Sequence, residues 1–444
     1  MVEVELFAIG GFTEITKNMT AVRVDDEIVI LDMGIYLPAF IDYQEEGGKI
    51  DELNNEEIIK MGAIPNDHIL DRYRQNVKGI FLGHAHLDHI AAVPFLASNY
   101  DCKIYGSPFT IEIVKAILRE HKRKLKNKLI PTSLNSTVKV SANIQVELIA
   151  ITHSTSQCAL LAVHTPKGAI LYCNDFKLDN TPTLGNKPNY ERLEELGSQG
   201  ALAVITETMY AEKAGKCPSE RVAKEMLREV MLEIDHKGKA LFVTTFASHI
   251  ARIKSTIEFG LKLNRQIVIL GRSMEKYMTA AQNLRLLRED KRVKVYTYRS
   301  AVERILNEIS KRPGKYLVIC TGSQGEPNSI LDKIVNGKVP FQFQPDDRVI
   351  FSTKTIPVES NIENRERLES KLKKRKIRMY LDIHVSGHSA SEDLRELLNM
   401  TKPKHIIPAQ GEPHMIDAFM EICKHLNFKP KQIHRVEDGT TIKL

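Results

Sequence analysis

The chain has no tryptophan, and aromatic residues make up 6% of its 444 positions. No stretch approaches the roughly 18–20 consecutive apolar residues of a membrane helix, so no membrane partner is expected. The six cysteines (Cys102, Cys158, Cys173, Cys217, Cys320, Cys423) are scattered and form no Cys-x-x-Cys. That spacing argues against a disulfide framework and against a thiolate zinc site. The first residues alternate and carry Glu3 and Glu5, where a secretory signal would show basic residues before an apolar run. The expected location is the cytoplasm. His-Glu-x-x-His, a phosphate-binding Gly-x-x-x-x-Gly-Lys loop and a Gly-x-Ser-x-Gly elbow are also missing. Neither charge sign dominates: 63 Lys+Arg against 56 Asp+Glu give +7, a mildly basic balance that permits a polyanionic partner.

What is there reads as a globular chain of two or three domains, 42% apolar and 27% charged. The first fifth reads as strands around Val2–Leu6, Ala21–Val24 and Glu27–Leu31. Residues 38–75 break the pattern: they are polar, acidic at Asp42–Glu46, and predict at most one short helix. Such an insertion is usually functional or mobile. A strand at Gly79–Leu82, a His-rich turn and a helix at Ile90–Asn99 follow, then strands at Gln145–Thr152, Leu160–His164 and Ala169–Cys173. Beyond about residue 205, helices at 219–235, 249–263, 274–288 and 361–374 alternate with strands at 240–246, 266–270, 293–298, 316–320, 348–353 and 377–383. Alternation predicts an α/β fold with a mostly parallel sheet. Ligands bind outside the carboxyl ends of such strands. Those ends are rich in Ser, Thr and Gly, as in Thr244–His249 and Thr321–Gly325. They read either as ordinary helix caps or, given the repetition, as an anion-binding crevice.

The strongest pattern is Gly83-His84-Ala85-His86-Leu87-Asp88-His89. Three imidazoles and a carboxylate leave an apolar strand and enter a helix, a donor set that suits Zn²⁺ and lets two ions sit close. These residues cannot saturate two ions. His153 and Asp175, each after an apolar strand, are the candidate partners. His121, His236 and His434 read as ordinary structural histidines.

This His-x-His-x-Asp-His pattern resembles the metallo-β-lactamase superfamily. Thr206-Glu207-Thr208, Thr321-Gly322-Ser323-Gln324-Gly325-Glu326-Pro327 and His384-Val385-Ser386-Gly387-His388 resemble the β-CASP nucleases within it. Over essentially the whole chain the similarity is to the ribonuclease J family, in its short archaeal form. The resemblance implies a metallo-β-lactamase αββα sandwich built from 1–205 and 381–444, with an inserted β-CASP α/β domain at 206–380 and the active site in the cleft between them. It also implies that His84, His86 and His153 hold one zinc, that Asp88 and His89 hold another, and that Asp175 bridges them. Asp32 would orient ligands from behind, Glu207 would be the acid that opens the insert, and His388 would contact the scissile phosphate and assist the leaving oxygen. Asp88, Asp175, Glu207 and His388 would thus carry catalysis. Ser248, His249 and Ser386, Gly387, His388 and Ser389 would hold RNA phosphate at a 5′-end pocket.

One departure stands out. The family pattern has a further histidine 22 positions after His388, and here that position is Gln410. Two zinc ions per chain are expected, the second held weakly, completed by water, or replaced by Mn²⁺.

The activity implied is 5′→3′ exoribonuclease action on 5′-monophosphorylated single-stranded RNA, with some endonuclease action. The alternatives are an endonuclease like the archaeal cleavage and polyadenylation specificity factor, or an RNA-binding scaffold weak in catalysis. Basic runs at His121–Lys128 and Lys371–Lys376 read either as an RNA track or as solvated helix faces. The 38–75 insertion would gate an RNA channel or make a contact in a homodimer.

Overall fold

The computed structural model describes residues 2–45, 47–356 and 359–444. Met1, Glu46 (the end of the acidic run), Pro357 and Val358 lie outside the described residues. The chain forms two compact units. The first takes in Met1–Asn180, Gly185–Cys217 and Gly387–Leu444, and the second Thr181–Leu184 and Pro218–Ser386.

The first unit stacks two sheets. One has seven strands, in the order Thr440–Lys443, Val4–Gly10, Met19–Val24, Glu27–Leu31, Val77–Leu82, Lys103–Gly106 and Leu129–Pro131. The other has six, in the order His405–Ala409, Ala203–Glu207, Gly168–Cys173, Ala159–Thr165, Gln145–Ala150 and Ser136–Lys139. Alternate residues such as Leu6, Val22, Val29 and Leu31 face Val146, Leu148, Leu161, Val163 and Ile205 in one apolar core. The other face of the six-stranded sheet, with Ile149, Leu160, Leu171 and Val204, is covered by Leu193, Leu394, Leu397 and Phe419 from three helices. Period-two strands against period-3.6 helices produce this layering.

The second unit is a six-stranded sheet in which every pairing is parallel: Val293–Tyr296, Gln266–Leu270, Tyr316–Cys320, Leu241–Thr244, Arg348–Phe351 and Arg378–Tyr380. Its four central strands are buried on both faces, as crossover helices require, while the edge strands Val293–Tyr296 and Arg378–Tyr380 are partly exposed.

Residues 208–217 belong with the first unit rather than with the insert. Cys217 N donates to Asp393 Oδ2 at 2.7 Å, and the Ser391 and Glu392 amides donate to Lys213 and Gly215 carbonyls. The segment expected as one helix at 90–99 is broken into Leu87–Ile90, Val93–Leu96 and a 3₁₀ turn. The Ala92 amide bonds to the Met33 carbonyl instead of continuing the ladder, and Pro94 has no N–H to offer. The 38–75 insertion holds helices Leu37–Glu45 and Asn55–Lys60 and a long 3₁₀ segment, Asp67–Asn76. It packs into the unit: Ile58, Ala63 and Leu70 are fully buried, and Asp67 accepts from Tyr100 OH at 2.6 Å and from Asn99.

Candidate metal centre

Six strands of the first unit end at one edge, and a polar residue follows or closes each. Asp32 follows Glu27–Leu31, His84 follows Val77–Leu82, and His153 follows Gln145–Ala150. Asp175 follows Gly168–Cys173, Glu207 closes Ala203–Glu207, and Gln410 follows His405–Ala409. Asp32, Asp175 and Gln410 have φ of 62°, 56° and 49°, the left-handed region that costs a non-glycine residue energy. The strain turns each side chain across the strand ends. Gly34 lets the His84–His89 turn come close, since a Cβ there would lie 1.5 Å from the Asp88 carbonyl oxygen.

The donor atoms converge. His84, His86, His153 and Asp175 each place one within 4.8 Å of the others, as do Asp88, His89 and Asp175, and Asp175, Glu207 and His388. Asp175 belongs to all three groups. His84 Nε2 and His153 Nε2 lie 3.1 Å from His86 Nδ1, and Asp175 Oδ2 lies 3.2, 3.3 and 3.8 Å from His84, His153 and His86. Asp175 Oδ1 faces His89 Nε2 at 3.4 Å, as does Asp88 Oδ2.

The rings are held from behind. His89 Nδ1 meets Asp32 Oδ2 at 2.7 Å, while Asp32 Oδ1 accepts the Gly83 amide at 2.7 Å. His153 Nδ1 donates to the Gly387 carbonyl at 2.7 Å. Both bonds fix a tautomer that leaves Nε2 facing the cluster. His388 Nδ1 lies 2.6 Å from Glu207 Oε2, and Glu207 Oε1 accepts the Phe176 amide and both the amide and hydroxyl of Ser389.

Charge follows burial. Burial and neighbouring His89 push His84 down to about 3, and burial pushes His153 well below its usual value, so both imidazoles are neutral. For His89 burial is overcome by Asp175, Asp88 and Asp32, which raise it well above normal. For His388 burial is overcome by Glu207 and Asp175, which raise it to about 9. Burial of Asp175 is outweighed by His89, His388 and His84, which hold it well below the usual carboxylate range. Buried carboxylates set beside the neutral His84 and His153 rings favour a cation between them.

The remaining expected residues fall differently. Ser248 is half-buried in the second unit. His249 is 3% exposed, with Nε2 3.4 Å from Glu220, which also takes two bonds from the fully buried Arg252. Ser389 is 1% exposed and spends its hydroxyl on Glu207 rather than on phosphate. Two site residues went unread in the sequence. Asn18, fully buried, places Nδ2 3.1 Å from His89 Nε2 and 3.2 Å from the Asp88 carbonyl. Ser154 Oγ lies 3.3 Å from His153 and 3.4 Å from His86. A lone Asn or Ser has no spacing to betray it.

Residues 238–366 match the model of the ribonuclease J β-CASP domain, and residues 374–432 that of the Zn-dependent metallo-hydrolase RNA specificity domain. With the paired sheets, these matches define a metallo-β-lactamase-fold hydrolase that carries a β-CASP insert. The chain is 40% identical to Ribonuclease J of Methanocaldococcus jannaschii over 98% of each, and 39% identical to that of Pyrococcus abyssi over 99% of this chain and 97% of the relative. It belongs to the ribonuclease J family. A Thermus thermophilus relative is 32% identical, and the match covers 74% of its length. A crystal structure of a protein of unknown function from Enterococcus faecalis V583 shares the fold over the full length of both chains, with a TM-score of 0.67 at 17% identity.

Proposed function

We propose that this chain is a cytoplasmic 5′→3′ exoribonuclease that degrades 5′-monophosphorylated single-stranded RNA, with some endonuclease activity, and that it holds two zinc ions. The observation that carries the reading is the convergence of four donor atoms on one point beside His388. Zinc bonds of about 2.0–2.1 Å in a tetrahedron set ligand atoms roughly 3.3–3.4 Å apart. Five of the six separations here run from 3.1 to 3.8 Å, and all lie within 4.8 Å. His84, His86, His153 and Asp175 would hold one ion, and Asp88, His89 and Asp175 the other. Gln410 flanks the second place: its Nε2 lies 3.4 Å from His89 Nε2, and its buried Oε1 has no hydrogen-bond partner among the described residues. Turning the amide over would aim the oxygen at that place.

Such a metal pair, when bound, acidifies water and neutralises charge on phosphoryl oxygens. Around it the chain's own residues bind, orient and move protons. Water oxygen adds to phosphorus as its proton passes to solvent, the bond to the 3′ oxygen breaks, and the product keeps a 5′-phosphate. His388, held through Nδ1 by Glu207, gives the Nε2 proton to the leaving 3′ oxygen. Its raised pKa keeps that proton available at neutral pH. Ser248 and Ser386 would receive the 5′-phosphate.

The test is a 5′-labelled, 5′-monophosphorylated RNA sampled early. Labelled mononucleotide at once, with no ladder, is expected. Labelled 5′-terminal fragments longer than a nucleotide would replace the exonuclease by an endonuclease, and an intact substrate would point to a scaffold.

A further inference from the structure

The basic run after helix Pro108–Glu120 is not a helix face. Lys122 has φ of 51°, turns the chain out of the helix, and starts an irregular segment that leads into strand Leu129–Pro131. Side chains then alternate: Lys122, Lys124, Lys126 and Lys128 are exposed, while Arg123, Leu125 and Asn127 are half-buried. The inward set fastens the segment. His121 Nδ1 meets Asp51 at 2.9 Å, Arg123 lies 4.6 Å over the Phe95 ring, and the Asn127 amide donates to the Tyr100 and Cys102 carbonyls at 2.8 and 2.9 Å.

Some exposed cations elsewhere have carboxylate partners, as in Lys49–Glu52, Arg228–Glu225 and Arg299–Glu303. Among the described residues none of these four lysines has one. Four like charges along one fastened ribbon repel each other, and a polyanion relieves that repulsion. The second basic run differs. It sits at the end of helix Glu359–Lys374, where cations offset the helix dipole, and Lys371 is spent on Asn336.

We infer that Lys122, Lys124, Lys126 and Lys128 form a track for the phosphate backbone of single-stranded RNA, outside the metal centre. This rests on the ribonuclease reading. Lysines on flexible stems contact phosphates without reading bases, so the track is indifferent to sequence.

The test is fluorescence anisotropy with the full chain, in chelator, on labelled RNA of roughly 20 nucleotides, longer than a typical single-strand module covers. Each lost phosphate contact flattens the plot of log affinity against log salt by about 0.7. The variant K122Q/K124Q/K126Q/K128Q should be shallower by about 2 to 3, on every RNA sequence tested. The all-arginine counterpart should keep the slope. Should the quadruple variant fail to fold, K124Q/K126Q should lose about 1.4. An unchanged slope in a folded variant overturns the track. Cleavage by the unmodified chain is assayed separately. Steep binding lost in the variant, with no cleavage by either, sinks the ribonuclease reading and spares the track. Cleavage with an unchanged slope does the reverse.

Discussion

A histidine delivers a proton on time only when its other nitrogen is held, and Glu207 holds His388. His388→Ala should lower turnover by about 10²–10⁴-fold and leave RNA affinity within a few-fold. Equal losses in both would remove the acid role. Glu207 is also a main reason His388 sits near 9. Glu207→Gln removes that charge, lowers the His388 pKa, and should move the basic limb of the pH–rate profile downward. A limb that stays in place would assign it to another group. Gln410→His should raise metal content per chain, read by elemental analysis after dialysis; no change would show that the position does not face the ion. At this scale the sequence was legible where residues cluster: His84 to His89 announce themselves by spacing. His153 and Asp175 could be read from their place after apolar strands. Asn18 and Ser154 could not, because only folding brings them against His89 and His86.

Elements matter here through their ends. Gly387 passes so close to Ser154 that a Cβ would lie 2.8 Å from its Cβ and 2.9 Å from its amide nitrogen, while its carbonyl holds His153. Gly387→Ala should cost about 1–3 kcal/mol by overpacking, seen in denaturant melts, and lower metal affinity as His153 shifts. A variant with normal stability and metal content would show that the contact can relax. Away from the site, Glu147 joins two strands and a helix through His164 at 2.9 Å and Arg192 at 2.8 Å. Burial raises its pKa, but these partners outweigh it and hold the carboxyl down at about 2. Its stabilisation is therefore complete above the ordinary value of 4.5 and is lost as pH falls toward 2. Glu147→Gln should flatten the stability curve across that window; an unchanged curve would mean the pair is neutral. Strand positions in the second unit were legible because each is a short apolar run with turn residues after it, and Gln266–Leu270 and Tyr316–Cys320 fall where the pattern puts them. The helix expected at 90–99 was not, because a backbone bond from Ala92 to Met33 across the fold decides it.

At the scale of the molecule, a centre built from six strand ends is a clasp on the first unit. Ions that bind the folded chain and not the unfolded one stabilise by mass action. Chelation should lower the melting temperature and abolish cleavage together, and zinc should restore both. A chelated chain that melts unchanged would argue that the centre is fully preorganised by Asp32, Gly387 and Glu207. The sequence by itself determined the chemistry available: which side chains can ligate or donate, the α/β alternation, and the family resemblance carried by the His84–His89 and His384–His388 segments. Those are local properties of residue type and spacing. Tertiary structure alone decided that the 38–75 insertion is anchored by Asp67, that Ser389 and His249 are spent on buried carboxylates, and that four lysines line one fastened ribbon. Each depends on contacts between residues far apart in the chain, where burial and competition for hydrogen-bond partners settle what a side chain can still do.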